Sequence, residues 1–270
     1  MRTTDIGHRT MAMPAHPAPL GRRAQVPTGG APCPIVAMTT RHFRRDMQRI
    51  AVPHVEAQLV VRLGPTIPGG LDIHALGVRP KVQRKFIRGG QHAVLVRLQP
   101  GTYERALGVS AGELTGRMVP LEDLWSRTHA HALQEQLASA PDTEAACTLL
   151  KTAISAHAAR TTSARAPSPL LQAALDLLQV ASVTRTAQAL DISERQLRRI
   201  LHDAVGIGPK TVSRLVRFQQ AVRAAQSARA INWSNIAVDA GYYDQAHLIA
   251  EFRAIADSTP RMLMTELRSA

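Results

Sequence analysis

The first clear pattern along the chain is a strict alternation of apolar and polar side chains that begins at His54. The apolar residues on one side of this extended segment are Val55, Ala57, Leu59, Val61 and Leu63. Such alternation is typical of a strand with one buried face. Further apolar runs at 71–78, 82–88 and 93–98 are separated by Arg-Pro and Gly-Gly turns. We therefore predict a small antiparallel sheet.

The apolar spacing becomes helical further along the chain. From Leu114 to about residue 158, apolar side chains recur at helical intervals, among them Met118, Leu121, Leu124, Leu133, Leu137 and Ile154. Residues 161–169 are small, polar and rich in proline, as in a linker. Beyond Leu170 the pattern predicts only short helices. The fold class is therefore predicted to be α+β, with a small sheet and helices first and an all-helical domain after the linker.

The charge of the chain narrows the choice of partner. Its 270 residues carry 33 Lys and Arg against 20 Asp and Glu, a net charge of +13. Such a balance favours a polyanion, with nucleic acid and an anionic membrane surface first. The sequence contains no apolar run of the roughly 18 to 20 residues that a membrane span needs, and Arg22 and Arg23 are not followed by a hydrophobic signal core. We expect a cytoplasmic protein that does not bind membranes.

Residues 1–50 have the composition of a disordered basic tail. They contain eight arginines, two aspartates and six prolines between 14 and 34, with little apolar periodicity. We predict a division into this tail, a regulatory or assembly domain at 51–160, the linker at 161–169 and a DNA-binding domain at 170–270.

A helix-turn-helix unit is predicted at 183–202. Ala187 lies where two helices approach closely, and the turn falls at Asp191. Ser193 and Gln196 form a capping-box pattern that starts the second helix at Glu194. Burial of Leu197, Ile200 and Leu201 would turn Arg195, Arg198 and Arg199 outward, where arginines can read guanine in the major groove.

A second unit repeats this layout in residues 236–252. Gly241 lies in its turn and Asp244 can cap the next helix, which would direct Gln245, Ala246, His247 and Ala250 to the groove. Residues 209–227 read as one amphipathic helix of about 28 Å. This length is close to the ~34 Å pitch of DNA, which suits two reading helices in successive major grooves.

These residues resemble the DNA-binding module of the AraC/XylS family of transcription regulators. The resemblance is carried by "ALDISERQLRRILHDAVGIGPKTVSRLVRFQQA" and "WSNIAVDAGYYDQAHLIAEFRAIADSTP". It implies that Arg195, Arg198 and Arg199 in the first unit and Gln245 and His247 in the second match positions that contact bases. The whole predicted DNA-binding surface also includes Gln196, Ala246 and Ala250, which we place there from their positions on the two helices. The segment Gly116–Trp125 is also similar to amino-terminal domains joined to this module.

The second unit departs from the family pattern. Ala250 and Ala254 stand where basic residues are common, and Asp257 replaces a glycine before Ser-Thr-Pro. Residues 170–270 hold only twelve basic and nine acidic side chains. We expect specificity to depend mainly on the first unit, with the basic tail adding affinity that is independent of sequence.

The sequence offers little for catalysis. Cys33 and Cys147 are isolated, and His129 and His131 lie two positions apart on a predicted helix, so neither pair can supply a metal site. The sequence contains no phosphate-binding glycine loop or Ser-His-Asp order. We predict a non-enzymatic protein without metal or cofactor.

The predicted partner is double-stranded DNA. A small-molecule effector at the amino-terminal domain, a homodimer, and RNA polymerase if the chain is an activator are further partners that the sequence leaves open. The competing interpretation is a protein-interaction scaffold without sequence-specific DNA reading, which would not require outward arginines on one short helix.

Overall fold

The computed structural model describes residues 33–161 and 167–269. The amino-terminal part contains seven strands, and its strands and helices are β1 (Ile35–Phe43), β2 (Met47–Ala51), β3 (Gln58–Leu63), β4 (Leu71–Leu76), β5 (Gln83–Ile87), β6 (Gln91–Leu98), α1 (Tyr103–Leu107), α2 (Ala111–Leu114), β7 (Met118–Pro120), a 3-10 turn (Leu121–Asp123), α3 (Arg127–Ala138) and α4 (Thr143–Arg160). The carboxyl-terminal part contains α5 (Leu170–Leu177), α6 (Val183–Ala189), α7 (Glu194–Val205), α8 (Pro209–Ser227), α9 (Trp233–Asp239), α10 (Gln245–Ala256) and α11 (Pro260–Ser269). The predicted α+β class is confirmed.

The strands form two antiparallel layers. Five of them build a sheet in the order β1-β6-β3-β4-β7, and β2 and β5 pair as a separate ribbon. The alternation that begins at His54 marks a strand with one buried face, as predicted, because Ala57, Leu59 and Val61 are fully buried. They pack on α1, α3 and α4 in a core that also contains Leu107, Leu121, Trp125, Leu133, Leu150 and Ile154.

Two expectations from the sequence are wrong in this part. Strands β1 and β2 lie within residues 35–51, most of which the sequence composition assigns to the disordered tail at 1–50. β1 is an edge strand paired along its length with β6, and its side chains alternate poorly because most of them are half-buried or exposed on both faces. The rest of the tail, residues 1–32, lies outside the described residues.

The second error concerns Met118, which helical spacing had placed in a helix. Helix α2 ends at Leu114, and Gly116, two residues later, adopts φ 75°, so the helix does not continue. Residues 118–120 then pair with β4 as strand β7, and Met118 is 51% exposed.

The carboxyl-terminal helices pack around α8, which spans the predicted residues 209–227. Leu215, Phe218 and Val222 of α8 are buried in a core that draws on all seven helices of this part. Val78 and Val82 of the β4–β5 connection belong to the same core, although they precede the linker by some eighty residues. Part of the predicted linker, residues 162–166, lies outside the described residues.

Several backbone and side-chain hydrogen bonds join the two parts. Val82 donates its amide to the Ile255 carbonyl at 2.9 Å, and Gly101 donates to Ala204 at 2.9 Å. The Gln219 side chain, buried on α8, donates to the Pro53 carbonyl at 2.7 Å. Residues 33–269 therefore form one compact unit.

Two further observations bear on function. None of the helices in the part of the chain that the structure describes is long and apolar enough to cross a bilayer. Within the same residues, no three His, Cys, Asp or Glu side chains are grouped so that they could hold a metal ion.

Candidate DNA-binding surface

The first helix-turn-helix unit consists of α6, the turn at 190–193 and α7. Ser182 and Ser193 cap the two helices by accepting bonds from the Arg185 and Gln196 amides. Of the predicted capping box only this half forms, since the Gln196 side chain makes no bond back to Ser193 within the described residues. Asp191 takes a left-handed conformation, φ 52°, and lets the Ile192 amide donate to the Ala187 carbonyl at 3.0 Å.

Helix α7 presents its charge outward as the sequence predicted. Leu197 and Leu201 are fully buried, which fixes the rotation of the helix. Arg195, Arg198 and Arg199 are exposed in consequence, while Gln196 is half-buried. Among the described residues none of these three arginines takes part in an ion pair. Their guanidinium groups are available to an external anion.

The second unit has the same geometry. Asn232 and Asp244 cap α9 and α10, and Gly241 takes the left-handed position that Asp191 occupies in the first unit. The Tyr242 amide donates to the Ala237 carbonyl at 2.8 Å, as Ile192 does to Ala187.

The predicted reading residues of the second unit are not equally available. Ala246 and Ala250 are exposed on α10. Gln245 is exposed, but its Oε1 accepts a 2.8 Å bond from the Ser234 hydroxyl. His247 is half-buried, its ring packs edge-on against Tyr242 at 5.3 Å, and its Nδ1 is 3.4 Å from the Tyr243 amide.

The two units are held together through α8. Phe218 of α8 packs on Phe252 of α10, with ring centroids 4.6 Å apart. Arg214 donates to the Glu251 carboxylate at 2.9 Å, and this pair is only partly exposed. Arg217 lies over the Tyr242 ring at 5.6 Å, and burial raises the pKa of the Tyr242 hydroxyl. Helix α8 therefore holds the second unit through apolar, ionic and cation–π contacts.

Comparison with known proteins agrees with this geometry. A family model described as "Helix-turn-helix domain" matches residues 186–266, that is 81 of the 270 residues. These residues are a helix-turn-helix domain of the AraC type. Domains of this type are DNA-binding modules of transcription regulators, so the broad functional class predicted from the sequence is confirmed.

The chain is also similar to solved structures. ToxT from Vibrio cholerae is 10% identical, with coverage of 87% of this chain and 98% of that chain and a TM-score of 0.44. The C-terminal domain of AraT, a response regulator from Geobacillus stearothermophilus, is 20% identical over 38% of this chain and 88% of its own, with a TM-score of 0.35. A search of curated proteins finds no match.

The two halves of the AraC-type domain differ in charge at equivalent positions. Leu248 and Phe252 are buried on α10 as Leu197 and Leu201 are on α7, fifty-one positions earlier. With the same offset, Ala246 is equivalent to Arg195, Ile249 to Arg198 and Ala250 to Arg199. At the three positions where α7 has arginines, α10 therefore has no cation.

One internal hydrogen bond is repeated in both halves of the AraC-type domain. Thr184 donates to the Glu194 carboxylate at 2.6 Å in the first, and Ser234 donates to Gln245 in the second. Because Glu194 and Gln245 occupy equivalent positions, Gln245 has a structural partner that sequence reasoning had not foreseen. Gln245 can therefore contact a base only through its side-chain amide nitrogen, unless the bond from Ser234 opens.

The structure also adds candidates that the sequence reading missed. Tyr243 is 90% exposed at the turn before α10, and Arg253 is exposed in the last turn of that helix. The exposure of Arg253 could have been predicted, since it lies off the apolar stripe of α10 that contains Leu248 and Phe252. Exposed His202 holds the place on α7 that Arg253 holds on α10.

Proposed function

We propose that the chain reads double-stranded DNA in a sequence-specific manner through both helix-turn-helix units, with the first unit supplying most of the discrimination. The observation that carries this proposal is the set of exposed arginines on α7, none of which is in an ion pair with the described residues. An arginine that is already turned to solvent can form a bidentate pair with guanine without first breaking a contact within the protein.

The second unit contributes differently in this proposal. Its alanines can contact only apolar groups such as the thymine methyl, and Gln245 suits adenine once its bond to Ser234 opens. The second unit therefore adds contact area and register on the duplex, with little electrostatic attraction.

The decisive experiment begins with selection of bound fragments from the host's own genomic DNA. Fluorescence anisotropy then compares the selected site with scrambled DNA for the wild type and Arg199→Ala. We expect the variant to lose about 1 to 3 kcal/mol on the selected site and to relax preference at one base position. Arg127→Ala, an exposed arginine at the start of α3, is the matched control and should bind as the wild type does.

Each other result has a defined meaning. Equal loss on every DNA sequence would restrict Arg199 to phosphate contact. Failure of the wild type to bind any fragment, or binding that does not weaken linearly with the logarithm of salt concentration, would support the scaffold interpretation instead.

The second unit is tested by Ala250→Arg, which restores at α10 the charge that Arg199 provides at α7. We expect tighter binding, chiefly at low salt, and a salt slope steeper by about one phosphate contact. An unchanged slope would mean that the outer face of α10 does not reach the DNA.

The remaining partners stay predictions of this proposal. They are a small-molecule effector at the amino-terminal domain, a homodimer, and RNA polymerase if the chain activates transcription. The proposal assigns no enzymatic activity to the chain.

A further inference from the structure

A half-open cavity of about 820 Å³ lies between the two β layers. One wall is the face of the five-stranded sheet that points away from α1 to α4, and the opposite wall is the β2–β5 ribbon. Gln226 of α8 and Leu267 of α11 reach its edge. The volume is in the range of sites for drug-sized ligands.

The sheet wall of this cavity is cationic where facing β layers are normally apolar. Arg41, Ala93 and Arg62 are direct neighbours across β1, β6 and β3, so their side chains share one face. Four residues further along β6, Arg97 pairs with Gln58 of β3 and lies on the same face. Arginines from three adjacent strands therefore line this side of the cavity, with Arg62 and Arg97 half-buried and Arg41 exposed on the edge strand β1.

The ribbon wall adds further positive charge. Arg49 and Lys85 are direct cross-strand partners, and like charges in that position destabilise a strand pair. Burial lowers the pKa of Lys85, with Arg79, Arg62 and Arg49 acting in the same direction. Burial likewise lowers the pKa of Arg49, helped by Arg41.

The described carboxylates compensate only part of this charge. Arg62 pairs with Asp72, Arg97 lies 3.9 Å from Glu56, and Lys81 lies 3.4 Å from Asp257. The cations of the cavity lining that have no ion pair among the described residues are Arg41, Arg49, Arg79 and Lys85.

Arg79 is the clearest case of a cavity cation that lacks a partner among the described residues. Its Nε is buried and makes no hydrogen bond to any described residue. A buried guanidinium nitrogen without an acceptor is costly, and an anion inside the cavity would supply that acceptor.

We propose that this cavity binds a small organic molecule with an apolar body and at least two negative charges, such as carboxylates or phosphates. The charge requirement follows from the four lining cations that have no ion pair among the described residues, of which Arg49 also lies over the Phe43 ring at 5.7 Å. Ile50, Val60 and Leu95 supply apolar wall between them. The cations lie between the β layers, whereas the DNA-reading arginines lie on the outer face of α7. The inference specifies the chemistry of the effector in the proposed function, and it is tested without DNA.

The first test concerns the protein without ligand. If the cations repel one another in an empty cavity, Lys85→Gln should raise the melting temperature, and added NaCl should stabilise the wild type more than the variant. Arg41→Gln is a second variant on the opposite wall with the same expectation. Arg88→Gln removes an exposed cation outside the lining and should change little. A lower melting temperature for both cavity variants would show that these cations are structural and would overturn the proposal.

The second test measures binding by titration calorimetry at constant ionic strength. Trimesate carries three carboxylates on a benzene ring, and benzoate carries one on the same ring. We expect saturable binding of trimesate, affinity for benzoate at least about tenfold weaker, and a loss of about tenfold or more for trimesate in Arg41→Gln/Lys85→Gln. Arg88→Gln should bind as the wild type does.

Three results would refute this site: no binding of trimesate by the wild type, equal affinity for benzoate and trimesate, or unchanged affinity in the double variant. Displacement of trimesate by duplex DNA would instead assign the cations to the DNA interface and overturn the proposal. Failure of Arg199→Ala to affect DNA binding would leave these results untouched, so the two proposals can fail separately.

Discussion

Replacement of Gly206 by alanine is the sharpest test of how the two parts of the chain pack. Gly206 ends α7 in a left-handed conformation, φ 83°, and is buried against α2 of the amino-terminal part. A Cβ atom at this position would overlap the Ala111 carbonyl and the Thr115 hydroxyl. The Ala111 carbonyl belongs to the backbone of a capped helix, so it cannot move aside without moving α2.

The expected cost has three parts. The left-handed conformation costs an alanine about 1 to 2 kcal/mol. Forcing α2 away adds about 1 to 3 kcal/mol of overpacking. Displacement also strains the nearby bond from the Gly101 amide to the Ala204 carbonyl, worth about 1 kcal/mol. We expect a loss of roughly 3 to 5 kcal/mol, a large share of the ~5 to 15 kcal/mol that typically stabilises a folded chain.

Urea unfolding of the full chain measures this loss, and Gly208→Ala is its control. Gly208 lies two residues away, has φ −77°, and no heavy atom stands within 4 Å of its added Cβ. Its replacement should change stability by less than about 1 kcal/mol, since the weaker helix cap is offset by lower entropy of the unfolded chain. A cost for Gly206→Ala of only about 1 to 2 kcal/mol would mean that the left-handed penalty acts alone and that α7 does not press on α2.

Three other perturbations test separate contacts. Asp257 ends α10 with φ 51°, so Asp257→Gly should raise the unfolding free energy by up to about 1 kcal/mol in urea titration, and a loss would contradict the strain we assign to it. Burial against Trp125, then neighbouring charge, lowers the pKa of His157. The unfolded chain therefore binds a proton below pH ~6.5 that the folded chain resists, and stability falls as the pH falls from about 7 to 5. His157→Phe should flatten that slope, and an unchanged slope would assign it to other groups. Arg84 donates to Glu266 at 2.7 Å, and a double-mutant cycle with Arg84→Gln and Glu266→Gln should give a coupling near 1 kcal/mol, whereas zero coupling would reduce the pair to a solvated contact.

The helical domain was predictable because its signals are local. In each unit a side-chain cap, two fully buried residues one helical turn apart and a left-handed C-cap lie on one twelve-residue helix. The bounds of α8, Pro209 to Ser227, follow from a proline at its start and an apolar stripe along it. The outward direction of the α7 arginines is fixed by the burial of Leu197 and Leu201, which the same stripe predicts.

The features that could not be predicted from the sequence depend on contacts between residues that are distant along the chain or on the angle between helices. Strand β1 is held by β6, whose paired residues lie about 50 to 60 positions later, and its own side chains alternate poorly. The cationic row across the sheet exists only because β1, β3 and β6 bring Arg41, Arg62 and Arg97 onto one face. The bond between Ser234 and Gln245 likewise depends on the angle between two helices, which no local pattern encodes.

The membership of Val78 and Val82 in the carboxyl-terminal core has a practical consequence. These side chains are 1% and 6% exposed, and all the other fully buried members of this hydrophobic core come from residue 171 onward, with Ile50, Val52 and Val55 packed against it as partly buried neighbours. A carboxyl-terminal fragment cut at the proline-rich linker would expose an apolar gap in its core. The amino-terminal fragment would expose Val78 and Val82 to solvent. Domain-swap chimeras of this regulator should therefore carry residues 78–82 along with the helices, or aggregation will be mistaken for loss of DNA recognition.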